Sequence, residues 1–129
     1  MDSIPCLYLP CIHGSSRKMI IFFHGNAEDL GTCYSMSDHL RSALQVNVLA
    51  VEYPGYGVYL DETKTSEEKI LRDAEIVYKF VQDEGGLRQK DIFLMGRSLG
   101  SGPAIHLAAN YNPGCLCLIS PYTSIKGVA

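Results

Sequence analysis

Four apolar residues, Ile92, Phe93, Leu94 and Met95, run into Gly96-Arg97-Ser98-Leu99-Gly100, and the stretch Ser101–Ala109 that follows is rich in small, helix-tolerant residues. An uninterrupted apolar run of this length reads as a strand buried on both faces. The two glycines, each two positions from Ser98, allow a strand and a helix to approach closely across a very tight turn. The segment therefore reads as strand, sharp turn, helix, with Ser98 held in a strained backbone conformation at the carboxyl end of the strand. The helix that opens there turns its unpaired N–H groups and the positive end of its dipole toward whatever Ser98 meets. The bare G-x-S-x-G pattern arises by chance in roughly one chain in ten of this size, and a serine that merely caps a helix is the ordinary alternative. The strand before it and the helix after it are what give the pattern weight.

The rest of the chain repeats the alternation. Ile4–Ile12 reads as a strand, but Pro5 and Pro10 confine it to a sheet edge or limit its pairing. Met19–Phe23 (MIIFF) reads as a buried strand ending in His24-Gly25-Asn26-Ala27, where Asn26 can cap a helix with Glu28 and Asp29 in its first turn. Leu30, Tyr34, Ser37, Leu40 and Leu44 then recur at helical spacing, with Cys33 and Met36 flanking that stripe and His39 off it. Val46–Tyr53 is a third strand, leading into the tight loop Pro54-Gly55-Tyr56-Gly57. Gly55 and Gly57 lack the third glycine of a dinucleotide-binding turn.

Thr65 and Glu68 are spaced as a capping box for a helix whose apolar stripe is Ile70, Ala74, Val77 and Val81. Glu68–Arg72 and Glu75–Lys79 stand as i,i+4 pairs on its wet side, and Gly85-Gly86 ends it. After the Ser98 segment, Asn112-Pro113-Gly114 forms a turn and Cys115–Ser120 a further buried strand. Strands alternating with helices from Met19 onward imply a parallel α/β sheet with right-handed crossovers, with no internal repeat and no domain boundary.

Composition excludes several classes. With 129 residues, 47% hydrophobic and 19% charged, the chain suits one globular domain. A net charge of −3 without a Lys/Arg cluster gives nucleic acid and anionic membrane surfaces no foothold. The longest apolar runs, Met19–Phe23 and Cys115–Ile119, are five residues each, far short of a bilayer span, and no basic-then-apolar leader opens the chain. Asp2 in place of glycine rules out N-terminal myristoylation of this chain. Five cysteines at irregular spacing make a poor disulfide framework, and the pair Cys115 and Cys117 has no histidine partner for zinc. The expectation is buried, reduced thiols in a cytoplasmic protein, with Cys6 and Cys11 available to a lipid that nothing requires.

Four motifs in order, HGNAEDLG (His24–Gly31), EYPGYG (Glu52–Gly57), GRSLGSGPA (Gly96–Ala104) and SPYTSI (Ser120–Ile125), resemble the α/β-hydrolase fold. More narrowly, they are similar to the eukaryotic serine hydrolases that include the acyl-protein depalmitoylases and to the serine aminopeptidase-like group. The resemblance extends from Ile4 to the end of the chain. It implies a mostly parallel sheet flanked by helices, with the first visible strand antiparallel, forming the second through sixth strands of that fold. It implies that Ser98 is the nucleophile and that the backbone N–H groups of Asn26 and Leu99 form the oxyanion hole. His24 would shape the loop and not serve as the base, because the family order is serine, acid, histidine. Neither a metal nor an organic cofactor is implied. The substrate would be a carboxylic ester or thioester, on a small molecule or an acylated protein, with peripheral membrane association open to the full-length protein.

One departure is large. No Asp or Glu follows Asp91, so the acid and the base of the family are missing from the expected places. His106 lies eight residues past Ser98 on the same helix, about 12 Å along its axis, beyond hydrogen-bond reach. His13 belongs to a turn and His39 to a helix exterior. The expectation is therefore the N-terminal part of a single hydrolase domain, spanning residues 1–129, inactive by itself and exposing Cys115–Ile119 as a sheet edge open to self-association. Two rivals stay open at this stage, a non-catalytic binding module of the same fold and a peptidase; an α/β fold holding a phosphate at the Ser98 turn lacks the necessary lysine.

Overall fold

The computed structural model describes residues 3–59 and 66–120. Five strands form one sheet: β1 (Cys6–Leu9), β2 (Met19–Phe23), β3 (Asn47–Val51), β4 (Ile92–Arg97) and β5 (Cys115–Ile119), in the order β1-β3-β2-β4-β5. β1 pairs antiparallel with β3 and every other pairing is parallel. The two prolines act as the sequence implies: Pro5 and Pro10 flank β1, which sits at one edge.

Three helices cover the faces: α1 (Tyr34–Leu44), α2 (Glu67–Asp83) and α3 (Ser101–Asn110). Alternate residues of each inner strand go to opposite sides. Met19, Ile21 and Phe23 of β2 join Ile92 and Leu94 of β4 under α2 and α3, against Ile70, Ala74, Val77, Val81, Ala104 and Leu107. Ile20 and Phe22 turn the other way, toward Val48, Ala50 and Cys33 beneath α1. All five residues of β2 are buried, so the apolar run reflects coverage on both faces. Each buried Met, Ile or Phe contributes about 1.5–3 kcal/mol of transfer free energy, and this strand concentrates five such side chains at the centre.

Several expectations need correction. α1 begins at Tyr34, not after Asn26; residues 26–33 form turns, and Cys33 stands at the cap position. Consequently the core-facing stripe moves. Cys33 and Ser37 are buried, whereas Tyr34 and Leu44 are exposed. α2 is capped by Ser66, whose side chain accepts from the Lys69 N–H; Thr65 lies outside the described residues. Among the described residues neither Glu68–Arg72 nor Glu75–Lys79 closes to an ion pair, and the Glu75 carboxylate lies 3.1 Å from His106 Nε2 on α3 instead.

β5 is not a buried strand. Cys115, Leu116 and Cys117 are exposed, because β5 is the other edge and its two faces are only partly covered. The thiols are correspondingly not all interior: Cys33 is buried, while Cys6, Cys115 and Cys117 are exposed and Cys11 is half-buried. Among the described residues no helix is long and apolar enough to cross a membrane.

Candidate active site

Because β2 and β4 are adjacent and parallel, with Phe23 opposite Gly96, the segments leaving their carboxyl ends emerge side by side. One is His24-Gly25-Asn26; the other is Arg97-Ser98-Leu99. Ser98 has φ = 52°, in the left-handed region, and opens a 3-10 turn (Ser98–Gly100) that feeds directly into α3. A non-glycine residue held there stores about 1–3 kcal/mol of backbone strain, which surrounding structure must hold in place. The packing shows how. A methyl group on Gly96 would meet the Gly100 carbonyl and lie 2.9 Å from the Ser101 Cα. Ser101 Oγ donates to the Ser98 carbonyl at 2.6 Å, closing the turn. Pro103 falls in the first turn of α3, where a missing N–H removes no helical bond.

The second segment lies against this corner. A methyl group on Gly25 would be 3.8 Å from Ser98 Cβ and 3.7 Å from the Arg97 carbonyl. Gly25 N–H donates to Glu28 Oε1 at 2.8 Å, and Glu28 Oε2 lies 3.7 Å from Arg97 Nη1, so one carboxylate bridges the two segments. Asn26 follows Gly25 at the exposed tip, and among the described residues its N–H donates to no protein group. Ser98 and Leu99 are half-buried at the same end of the sheet.

Beneath this end is a network of which sequence reading gave only His24 a part, as the residue that shapes the loop. His24 is fully buried; its Nε2 meets Glu52 Oε1 at 2.6 Å and its Nδ1 meets the Gly25 carbonyl at 2.8 Å. Glu52, 1% exposed, also accepts from the N–H groups of Leu30 (3.0 Å) and Tyr53 (3.2 Å). Tyr53 donates its hydroxyl to the His24 carbonyl at 2.6 Å, and burial pushes that phenol well above its ordinary pKa. Tyr56 donates to Asn26 Oδ1 at 2.6 Å. Asp29 and Thr32 exchange bonds in the same turn, and the Thr32 N–H at 2.9 Å holds the Asp29 carboxyl below its usual range. The available signal was a carboxylate, Glu52, directly after the apolar run Val48–Val51.

No histidine among the described residues bonds Ser98. His24 faces Glu52, His106 faces Glu75, and His13 and His39 are exposed. No group of three or more His, Cys, Asp or Glu among the described residues is placed to hold a metal ion. A cavity of about 560 Å³ lies at the opposite end of the sheet, between Ser16, Arg17, Gly85–Arg88 and Asp91, where β2 and β4 begin. It has no part in the Ser98 corner.

The family described as "Serine aminopeptidase, S33" matches residues 14–128. The chain belongs to this family. Human alpha/beta hydrolase domain-containing protein 17B is 32% identical to this S33-family chain over 128 residues, covering 99% of the chain and 43% of the relative. The chain thus spans less than half the length of that relative. Among solved structures, an alpha-beta serine hydrolase homologue from Coxiella burnetii superposes with a TM-score of 0.78 at 14% identity, over 98% of this chain and 65% of that one. Paleococcus ferrophilus monoacylglycerol lipase superposes with a TM-score of 0.71 at 20% identity, over 95% and 44%. These likenesses establish the fold of the S33-family chain as a partial α/β-hydrolase fold.

Proposed function

We propose that the protein is a serine hydrolase that cleaves carboxylic esters or thioesters, protein S-acyl groups included, through an acyl-enzyme on Ser98. The observation that carries this reading is the strained φ of Ser98 at the mouth of β4, with the Gly25-Asn26 turn packed against it. Ser98 Oγ attacks the carbonyl carbon and gives up its proton to a base. The negative charge moves to the carbonyl oxygen, between the N–H groups of Asn26 and Leu99. Collapse expels the alcohol or thiol, which takes a proton, and water then releases the acid. Donors fixed before the reaction stabilise that charge without reorganisation, and removing one typically lowers the rate about 10²–10³-fold.

The base and its acid are read as belonging to a part of the domain that this chain does not supply, making residues 1–129 the N-terminal part of one hydrolase domain. Two observations support that: Ser98 has no histidine partner among the described residues, and the human relative is more than twice as long. A reducing, cytoplasmic setting suits the free exposed thiols of Cys6, Cys115 and Cys117.

The test is labelling with a fluorophosphonate, followed by intact mass and peptide mapping, on the 129-residue chain and on a polypeptide extended through the reading frame. The expected adduct is single, on Ser98, faster in the extended polypeptide and absent in Ser98→Ala. An adduct that survives Ser98→Ala, or none at either length, overturns the reading.

A further inference from the structure

The turn from His24 to Leu30 carries Asn26 at its exposed tip, yet both of its ends reach the same buried carboxylate. Glu52 Oε1 meets the His24 ring at 2.6 Å and Oε2 accepts from the Leu30 N–H at 3.0 Å. The ring itself reaches back into the turn through Nδ1 and the Gly25 carbonyl at 2.8 Å. A carbonyl only accepts, so Nδ1 carries a proton, and one more proton lies on the line between Nε2 and Oε1. One proton thus bridges His24 and Glu52, and the carboxylate accepts two further bonds, from the backbone N–H groups of Leu30 and Tyr53. The Gly57 backbone passes close to the carboxylate, since a methyl group there would lie 2.5 Å from Oε2.

We propose that Glu52 is the positioning residue of the anion hole: by holding His24 at one end of the turn and the Leu30 N–H at the other, its carboxylate aims the Asn26 N–H at the space beside Ser98. It touches no substrate. The inference rests on reading Asn26 as an anion-hole donor, and its test is built to separate the two.

In Glu52→Gln the shape is kept but the bonding cannot be. An amide turned with its oxygen toward His24 sets its NH2 against the Leu30 N–H. Turned the other way, its NH2 faces the Tyr53 N–H. The Asn26 and Ala27 amide resonances of ¹⁵N-labelled protein should shift, and the Glu28 and Leu30 amides, which donate to the Gly25 carbonyl and to Glu52, should exchange about tenfold or more faster, while strand amides such as Leu94 stay unchanged. Phosphonylation of Ser98, in whichever polypeptide labels, should slow by about tenfold or more. Unchanged Asn26 resonances together with unchanged Glu28 exchange in a folded Glu52→Gln protein overturn the proposal. If the wild type never labels, the Ser98 reading fails, and the amide measurement still judges Glu52. Should Glu52→Gln not fold, Glu52→Asp retracts the carboxylate by one methylene and carries the same expectations. The wild-type spectrum is an independent check: it must show slowly exchanging protons at both His24 nitrogens, and a ring with Nε2 free of any hydrogen bond overturns the proposal.

Discussion

Gly100, the last glycine of the Ser98 turn, lies directly beneath the carbonyl of Phe23, the last residue of β2, so that a methyl group on Gly100 would fall on that carbonyl and within 2.9 Å of the next one, at His24. This contact is what locks the start of α3 against the neighbouring strand. Both atoms involved are backbone, so nothing can rotate away. Gly100→Ala should destabilise the protein by about 3 kcal/mol or more, at the upper end of overpacking effects. Gly102, two residues on, has nothing within 4 Å of its would-be methyl group, and Gly102→Ala should be neutral or stabilising by up to about 1 kcal/mol. Urea denaturation midpoints of the two variants check the contrast.

His24 and Glu52 form a pair with neither side chain exposed. Removing the ring leaves a carboxylate in the interior with only its two backbone donors. His24→Ala should therefore lower stability by about 3–5 kcal/mol, far more than the lost volume alone would suggest. Thermal and urea unfolding measure it. A loss below about 1 kcal/mol would mean the pair carries little.

Ester turnover by the 129-residue chain should be slow. A nucleophile deprived of its base keeps at most the residual ~10³–10⁴-fold over water that the oxyanion hole and binding give. Hydrolysis of a p-nitrophenyl ester, followed by absorbance, should barely exceed background. Rapid turnover abolished by Ser98→Ala would show that a base is present after all.

The thiols should separate by position. Cys33 is fully buried, and burial pushes its thiol up to about 11. A raised thiol pKa means less thiolate at any pH below it, so Cys33 should alkylate last, and its rate should keep rising with pH through the alkaline range. Exposed Cys115 and Cys117 should react with iodoacetamide in the native state. Peptide mapping after timed labelling gives the order.

The β5 edge presents Leu116 at 38% exposure between two exposed cysteines. Apolar edges of this kind pair with other chains. The chain should self-associate as concentration rises, and Leu116→Lys should reduce it. Sedimentation velocity across a dilution series reads both; a monomer at every concentration counts against the edge as a contact.

The sheet was legible because β2 and β4 are uninterrupted apolar runs, and Ser98 because the glycines at 96 and 100 stand between such a run and a helix. α1 was misplaced because residues 26–33 carry a helix-like cap and acidic first turn, but Asp29–Thr32 bonds and the Leu30–Glu52 bond claim those backbone groups for turns. β5 looked buried because composition alone cannot tell a central strand from an edge.

By itself, the order of residues determined the alternation of strands and helices, a first strand confined by its prolines, and the corner at Ser98, since each follows from local sterics and short-range periodicity; that the first strand runs antiparallel was implied only by the family resemblance. Only the tertiary structure decided which residues support that corner. His24 and Glu52 are 28 positions apart and meet because parallel pairing sets the ends of β2 and β3 side by side. A contact between segments distant in the chain depends on strand order and register, and neither is written in any local stretch.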